Sequence, residues 1–184
     1  IGLDATGTVA MANETGISVN SGASNQIGGI LSSGDRNVVS GNTNNGIEIH
    51  GNADQTIVQG NLIGTDIGGT SALGNGLNGI KIDNASSTLI GNASGGFNVI
   101  SGHSGTGSTG IFCEFAGTNT AIEFNRIGTD ISGTLPLPNE TGIRTDGTHT
   151  VFVGTGSGGG SENYICANTL AGIHALSPNT FIDE

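Results

Sequence analysis

Residues 60–80 read GNLIGTDIGGTSALGNGLNGI, and they decide the fold because the chain writes the stretch three times. IGLDATGTVAMANETGI opens at Ile1, and NRIGTDISGTLPLPNETGI begins at Asn125. The Ile-Gly-x-Asp starts fall at Ile1, Ile63 and Ile127, 62 and 64 residues apart. Recurrence at such a period marks a repeat architecture. A finer rhythm runs inside it: an Asn stands two residues before a branched apolar residue at Asn37, Asn61, Asn98, Asn125 and Asn163. The intervals are 24, 37, 27 and 38 residues, and the long ones hold the GTDxxGT motif or its neighbourhood. Each large repeat is therefore two turns, one plain and one carrying an insertion.

The turns are built from strands. After each Asn marker comes a Gly-Ile-x-Ile type run, at 16–19, 46–49, 79–82, 110–113, 142–145 and 172–175. A third run follows, led by Thr at Thr56, Thr88, Thr120, Thr150 and Thr180. The runs are short, alternating or briefly apolar, and bounded by Gly, Asn, Ser or Asp, which is the pattern of strands joined by tight turns. Three such strands per turn specify an all-β fold: a right-handed parallel β-helix with three sheets and about six coils. It forms a single solenoid domain over 1–184, made of super-repeats 1–62, 63–126 and 127–184. A strand this short cannot bury its apolar face alone, but equivalent strands stacked at about 4.8 Å place Ile upon Ile. The same alternation points Asn37, Asn61, Asn98, Asn125 and Asn163 inward, where their amides can form a hydrogen-bonded ladder along the axis.

Composition excludes several classes. Gly is 35 of 184 residues, with 10% charged, 4% aromatic and no Trp, a poor recipe for a layered α/β core. Apolar residues at 34%, in regular runs, argue against disorder. A net charge of −11 disfavours nucleic acid and anionic membrane surfaces as partners. No apolar run is long enough to insert in a membrane as a helix. The chain opens on Ile1 without a leader and reads as an excerpt or a processed product.

NVISGH, NGIEIHGN, QTIVQGNLIGTDIGGTSALGNGLNGI and NRIGTDISGT resemble the right-handed parallel β-helix repeats of long secreted or surface-attached bacterial proteins, over nearly the whole chain. The resemblance implies the fold and an extracellular or cell-surface location. It does not choose an activity, because this solenoid carries pectin-degrading enzymes, adhesins and spacers alike.

The outward positions of the Gly-Ile-x-Ile strands carry the candidate chemistry. Turn by turn the first is Ser18, Glu48, Lys81, Phe112, Arg144 and His174; the next is Asn20, His50, Asp83, Glu114, Asp146 and Leu176. Asp83, Glu114 and Asp146 stack as like charges and need compensation. Lys81 and Arg144, with Phe112 between them, can supply it. The alternative is Ca²⁺ held by the three carboxylates. That arrangement resembles the pectate lyases, and the resemblance implies Arg144 as the base with Lys81 beside it. Against it, no long binding loop flanks this face, no adjacent Asp-Asp pair occurs, and SGHSG around His103 is not the Gly-His-Gly of pectin hydrolases. The favoured reading is a non-enzyme without a cofactor.

The other motifs read as structure. Asp4, Asp66 and Asp130 of the GTDxxGT loops recur every second turn, about 9 to 10 Å apart, so each loop is expected to close on its own Asp as a separate protrusion. Cys113 aligns with Ile49 and Ile82, and Cys166 with Ser40 and Ser101, so no bridge is expected. A Thr ladder thin enough to be one residue wide does not make an ice-binding face. Asn13, Asn84, Asn92 and Asn139 lie in Asn-x-Ser/Thr sequons and are glycosylation candidates. Neither end carries a polar cap, and Glu184 falls about two residues out of phase with Ile1 for a continuing turn. The expected partner is therefore another copy, joined head to tail, with carbohydrate as the second candidate.

Overall fold

The computed structural model describes residues 1–29, 36–92, 96–115, 117–154 and 162–183, and Glu184 lies outside them. The described residues form seventeen strands and no helix. Numbered in chain order, the strands fall into three sheets. The first stacks β1 (Ile17–Ser21), β4 (Ile47–Asn52), β7 (Asn78–Asp83), β10 (Thr109–Glu114), β13 (Thr141–Thr145) and β16 (Ala171–Ala175). The second stacks β2 (Gln26–Gly28), β5 (Ile57–Gln59), β8 (Leu89–Ile90), β11 (Thr120–Ile122), β14 (Val151–Val153) and β17 (Thr180–Ile182). The third stacks β3 (Val38–Val39), β6 (Leu62–Ile63), β9 (Val99–Ile100), β12 (Arg126–Ile127) and β15 (Tyr164–Ile165). Neighbours within each sheet are parallel and three strands apart in the chain. The molecule is a three-sheet parallel β-helix. Where the sequence suggests about six coils, five carry all three strands, and β16 and β17 begin a sixth.

Register explains the core. In the first sheet Ile17, Ile47, Ile80, Ile111, Ile143 and Ile173 face one another in succession. The second repeats this with Ile27, Val58, Ile90, Ile122, Val153 and Ile182. The third does so with Val39, Ile63, Ile100, Ile127 and Ile165. Ile1 extends that third row, since its carbonyl accepts from Ser40 N at 3.0 Å. The middle members are fully buried, each worth about 1.5–3 kcal/mol by transfer from water. No single coil could bury them, so the period itself is what folds.

Close stacking sets where glycine is needed. A Cβ on Gly46 would meet the Gly79 carbonyl oxygen at 2.7 Å, and one on Gly79 would meet that of Gly110 at 2.6 Å. The Gly of each Gly-Ile-x-Ile run from Gly16 to Gly142 is therefore required by the approach of the next coil.

Two sequence expectations need correction. Thr150 does not lead the fifth strand of the second sheet: Val151 pairs with Thr120 and with Thr180. The row turns inward here, with Thr56, Thr88, Thr120 and Val151 all buried. A Thr row inside the core offers no surface array to ice.

The second correction concerns the loops. Each GTDxxGT insertion is a hairpin closed by an antiparallel bridge, Leu3–Ala10, Thr65–Ala72 or Thr129–Pro136. They are not separate protrusions. Ile67 N donates to Gly7 O at 3.0 Å, and Ile131 N to Gly69 O at 2.8 Å. The plain coil between them is held as well, with Gly41 N donating to Leu73 O and Gly102 N to Leu137 O. Each hairpin instead reaches the next one, two coils along the axis. Gly7 and Gly69 combine positive φ (+69° and +68°) with a Cβ position under 3 Å from Ile67 and Ile131. The result is one continuous ridge, and it gives the two-coil super-repeat its physical basis.

Candidate functional site

The outward face of the first sheet carries most of the candidate residues, and register brings them together. Glu48, Lys81, Phe112, Arg144 and His174 form one row, and His50, Asp83 and Glu114 another. Lys81 Nζ lies 2.8 Å from Glu114 Oε2 and 3.9 Å from Asp83 Oδ2. Arg144 Nη2 donates to Asp146 Oδ2 at 2.6 Å, and its guanidinium lies 5.0 Å from the Phe112 ring centre. His50 Nε2 sits 3.6 Å from Glu48 Oε2. Burial pulls the Lys81 ammonium down, but its hydrogen bond to Glu114 and the charges of Glu114, Asp83 and Glu48 outweigh this and hold it above the usual value.

The carboxylates are thus divided between two cations, Asp83 and Glu114 on Lys81 and Asp146 on Arg144. Among the described residues no three His, Cys, Asp or Glu side chains converge as a metal site would require. Arg144 is positioned as an ion-pair partner of Asp146. The strip sets three carboxylates against two cations on the outward face of the first sheet.

The Asn markers sit inside. Asn37 Nδ2 donates to Asn61 Oδ1 at 3.0 Å, Asn61 to Asn98 at 3.1 Å, Asn98 to Asn125 at 2.9 Å and Asn125 to Asn163 at 3.0 Å. Their second amide hydrogens satisfy corner carbonyls, as Asn98 does with Val58 O at 2.9 Å. Every bond in the row runs from Nδ2 of one coil to Oδ1 of the next.

A second ladder, not anticipated from the sequence, lines the corner between the third and first sheets. Asn13 donates to Asn42 at 3.2 Å and Asn42 to Asn75 at 2.8 Å. Asn75 Nδ2 then meets His103 Nε2 at 3.1 Å, His103 Nδ1 meets Asn139 Oδ1 at 2.9 Å, and Asn139 Nδ2 donates to Asn168 at 3.0 Å. His103 fits this sequence only as the neutral tautomer with its proton on Nδ1, taking a bond on Nε2 and passing one on. Burial drives its pKa down to about 4 against the opposing pull of Asn139. The readable signal is an Asn three or four residues before each Gly-Ile, as at Asn13, Asn42, Asn75, Asn139 and Asn168.

The sequon residues differ in place. Asn139 is fully buried, and its Nδ2 donates to Ile100 O as well as Asn168; a glycan there is incompatible with the ladder. Asn13 is exposed but donates to Asn42, Asn84 is exposed at the corner after β7, and Asn92 is half-buried. Cys113 lies in the core with its thiol pushed up to about 12 by burial, while Cys166 is exposed, and both are free.

Each loop Asp closes its own turn. Asp130 accepts from Thr134 N and Leu135 N, both at 3.0 Å, and from Ser132 Oγ. The Leu135 amide and the Ser132 hydroxyl hold its carboxyl down at about 2. Asp4 accepts from Thr8 N, Val9 N and Thr6 Oγ1, and the Thr6 hydroxyl leads in lowering its pKa. These oxygens already have donors, which accounts for the motif without an ion.

No protein-family model, curated protein or solved structure matches the chain.

Proposed function

We propose that the chain is a structural β-solenoid of the extracellular or cell-surface kind, a building block of a rod, filament or adhesin that extends by joining further coils end to end. The carrying observation is the translational sameness of the coils: two amide ladders repeat one bond from coil to coil, and the loop ridge repeats one from every second coil to the next. A coil added in phase meets the partners its predecessors meet. At the β15–β17 side, Val153, Ile165, Ile173 and Ile182 border a hollow of about 500 Å³, which a further coil would fill with its own apolar row. A second copy supplies Ile1, Ile17 and Ile27 at the matching inward positions.

The polysaccharide-cleaving alternative, with Ca²⁺ on Asp83, Glu114 and Asp146 and proton removal by Arg144, draws less support because those groups are engaged with one another. Sedimentation and negative-stain imaging of the purified chain, with and without calcium, distinguish the two. Rods longer than six coils, independent of calcium, are the expected result. Discrete monomers at every concentration, binding calcium tightly, would sink the assembly reading.

A further inference from the structure

The outward positions of the second sheet form a row of their own. Register sets Gln26, Ile57, Leu89, Ala121, Phe152 and Phe181 side by side, so from Ile57 onward every coil turns an apolar side chain to the outside. The first sheet places Glu48, Lys81, Arg144 and His174 at its corresponding positions. Among the described residues no further strand or helix packs over the row, and Phe181 is 52% exposed. Phe152 and Phe181 stack with ring centres 5.1 Å apart and planes 14° from parallel. The small Ala121 leaves a notch between Leu89 and Phe152. A contiguous apolar strip on an otherwise polar surface marks a contact with another molecule.

Charge restricts what lies there. The rim of the row holds Asp54, three residues before Ile57, and Glu123 and Asp183, two residues past Ala121 and Phe181. All four cations of the chain stand elsewhere: Lys81 and Arg144 in the first sheet, Arg126 in the third with its guanidinium 4.4 Å from the Phe97 ring centre, and Arg36 ahead of β3. A second copy would set like charges face to face, on top of a net charge of −11 on each chain. The row therefore suits an apolar segment flanked by lysines or arginines. Spacing selects its conformation. Neighbouring strands repeat at about 4.8 Å, so Ile57 to Phe181 spans about 19 Å. The apolar stripe of an α-helix offers two positions per seven residues, about 5.2 Å each, or about 21 Å over the same steps. An extended strand repeats on one face at about 6.7 Å and would run to about 27 Å. The helix stays in step with the row, and the strand misses by more than a rung.

We propose that the outward face of the second sheet docks a basic amphipathic helix of a partner protein. The helix lies along the solenoid axis with its apolar stripe on the row, a bulky side chain in the notch at Ala121, and its cations toward Asp54, Glu123 and Asp183. This surface runs along the side of the rod and does not depend on how the ends associate.

The test is fluorescence anisotropy of the whole chain with a labelled peptide of about 18 residues, built of Leu and Lys with Leu at i, i+3, i+4 and i+7. Two comparison peptides carry the same residues in an order without a stripe, and Glu in place of Lys. The striped Lys peptide is expected to bind at least about tenfold tighter than the reordered one, with no binding of the Glu peptide. Ala121→Lys fills the notch and adds a like charge, and Leu89→Ser removes an apolar contact at constant charge. Both side chains face outward, so the core is left intact, and each variant should weaken binding about tenfold. Ser18→Lys makes the same charge change on the first sheet and should leave affinity within about twofold. Equal binding of the two Lys peptides, no binding at all, or an equal loss in Ser18→Lys would each overturn the proposal. So would a dimer of the chain that Ala121→Lys dissolves, since the face would then be a contact between copies.

Discussion

His103 interrupts a row of asparagines without breaking it, because a neutral imidazole can accept on one nitrogen and donate from the other as a primary amide does. Protonation removes that equivalence: Nε2 would carry a hydrogen facing the Asn75 donor. The folded pKa of about 4 lies below the 6.5 of an unperturbed histidine. The unfolded chain therefore takes up the proton first, and stability present above about pH 6.5 is lost as the pH falls toward 4. The integral is about 3 kcal/mol from this group, and His149, also lowered by burial, adds in the same direction. Replacing His103 by Asn restores an amide and removes the titration. Urea unfolding at pH 7 and at pH 4.5 should show a smaller acid loss in His103→Asn than in the parent. An equal loss in both would mean that His103 is not the acid-sensitive member.

At the level of strands and loops, the sequence revealed whatever repeats with a fixed neighbour. Gly-Ile-x-Ile carries its own reason, since Ile47 and Ile80 must meet while Gly46 admits the coil above, and both requirements fall within four residues. The Thr row misled because Val151, not Thr150, stands directly before the residue in register with Ala121 and Phe181, and so takes the place of Thr120 and Thr180 in the row. The corner ladder went unread because His103 hides a member and its spacing to Gly110 departs from the rest. The Arg126–Phe97 pair joins residues 29 apart that share no motif. The loop ridge was missed for a different reason: height along the axis is not written in residue spacing. That ridge makes a checkable claim. In Asp130→Ala the amide of Leu135 loses its acceptor and that of Thr134 keeps only Ser132 Oγ, so hydrogen exchange should quicken there and at Ile131, whose N–H reaches the neighbouring hairpin. Core amides such as Ile111 should hold their protection. Acceleration confined to Thr134 and Leu135 would mean that the hairpins do not support one another.

Taken whole, the solenoid has a natural unit of two coils, because hairpin contacts link every second turn. Removing 63–126 joins Leu62 to Ile127 and keeps this phase: Gly7 would face Ile131 as it now faces Ile67. Removing 63–99 joins Leu62 to Ile100 and takes out one coil, leaving two plain coils in succession and the first hairpin without its neighbour. Nearest-neighbour energetics predict that the longer deletion folds cooperatively at a lower midpoint, as fewer interfaces remain. The shorter deletion, though it retains more chain, should unfold earlier or in two steps. Circular dichroism melts of the two variants decide this, and the reverse order would argue that single coils are the interchangeable unit.

The amides in both ladders all point one way, from Nδ2 in one layer to an acceptor in the next, Oδ1 or, at His103, Nε2. A stack of such molecules therefore has a direction, like an arrow. Two molecules meeting nose to nose would press donor against donor, so growth by this chemistry yields fibres with unlike tips and cannot close symmetric pairs.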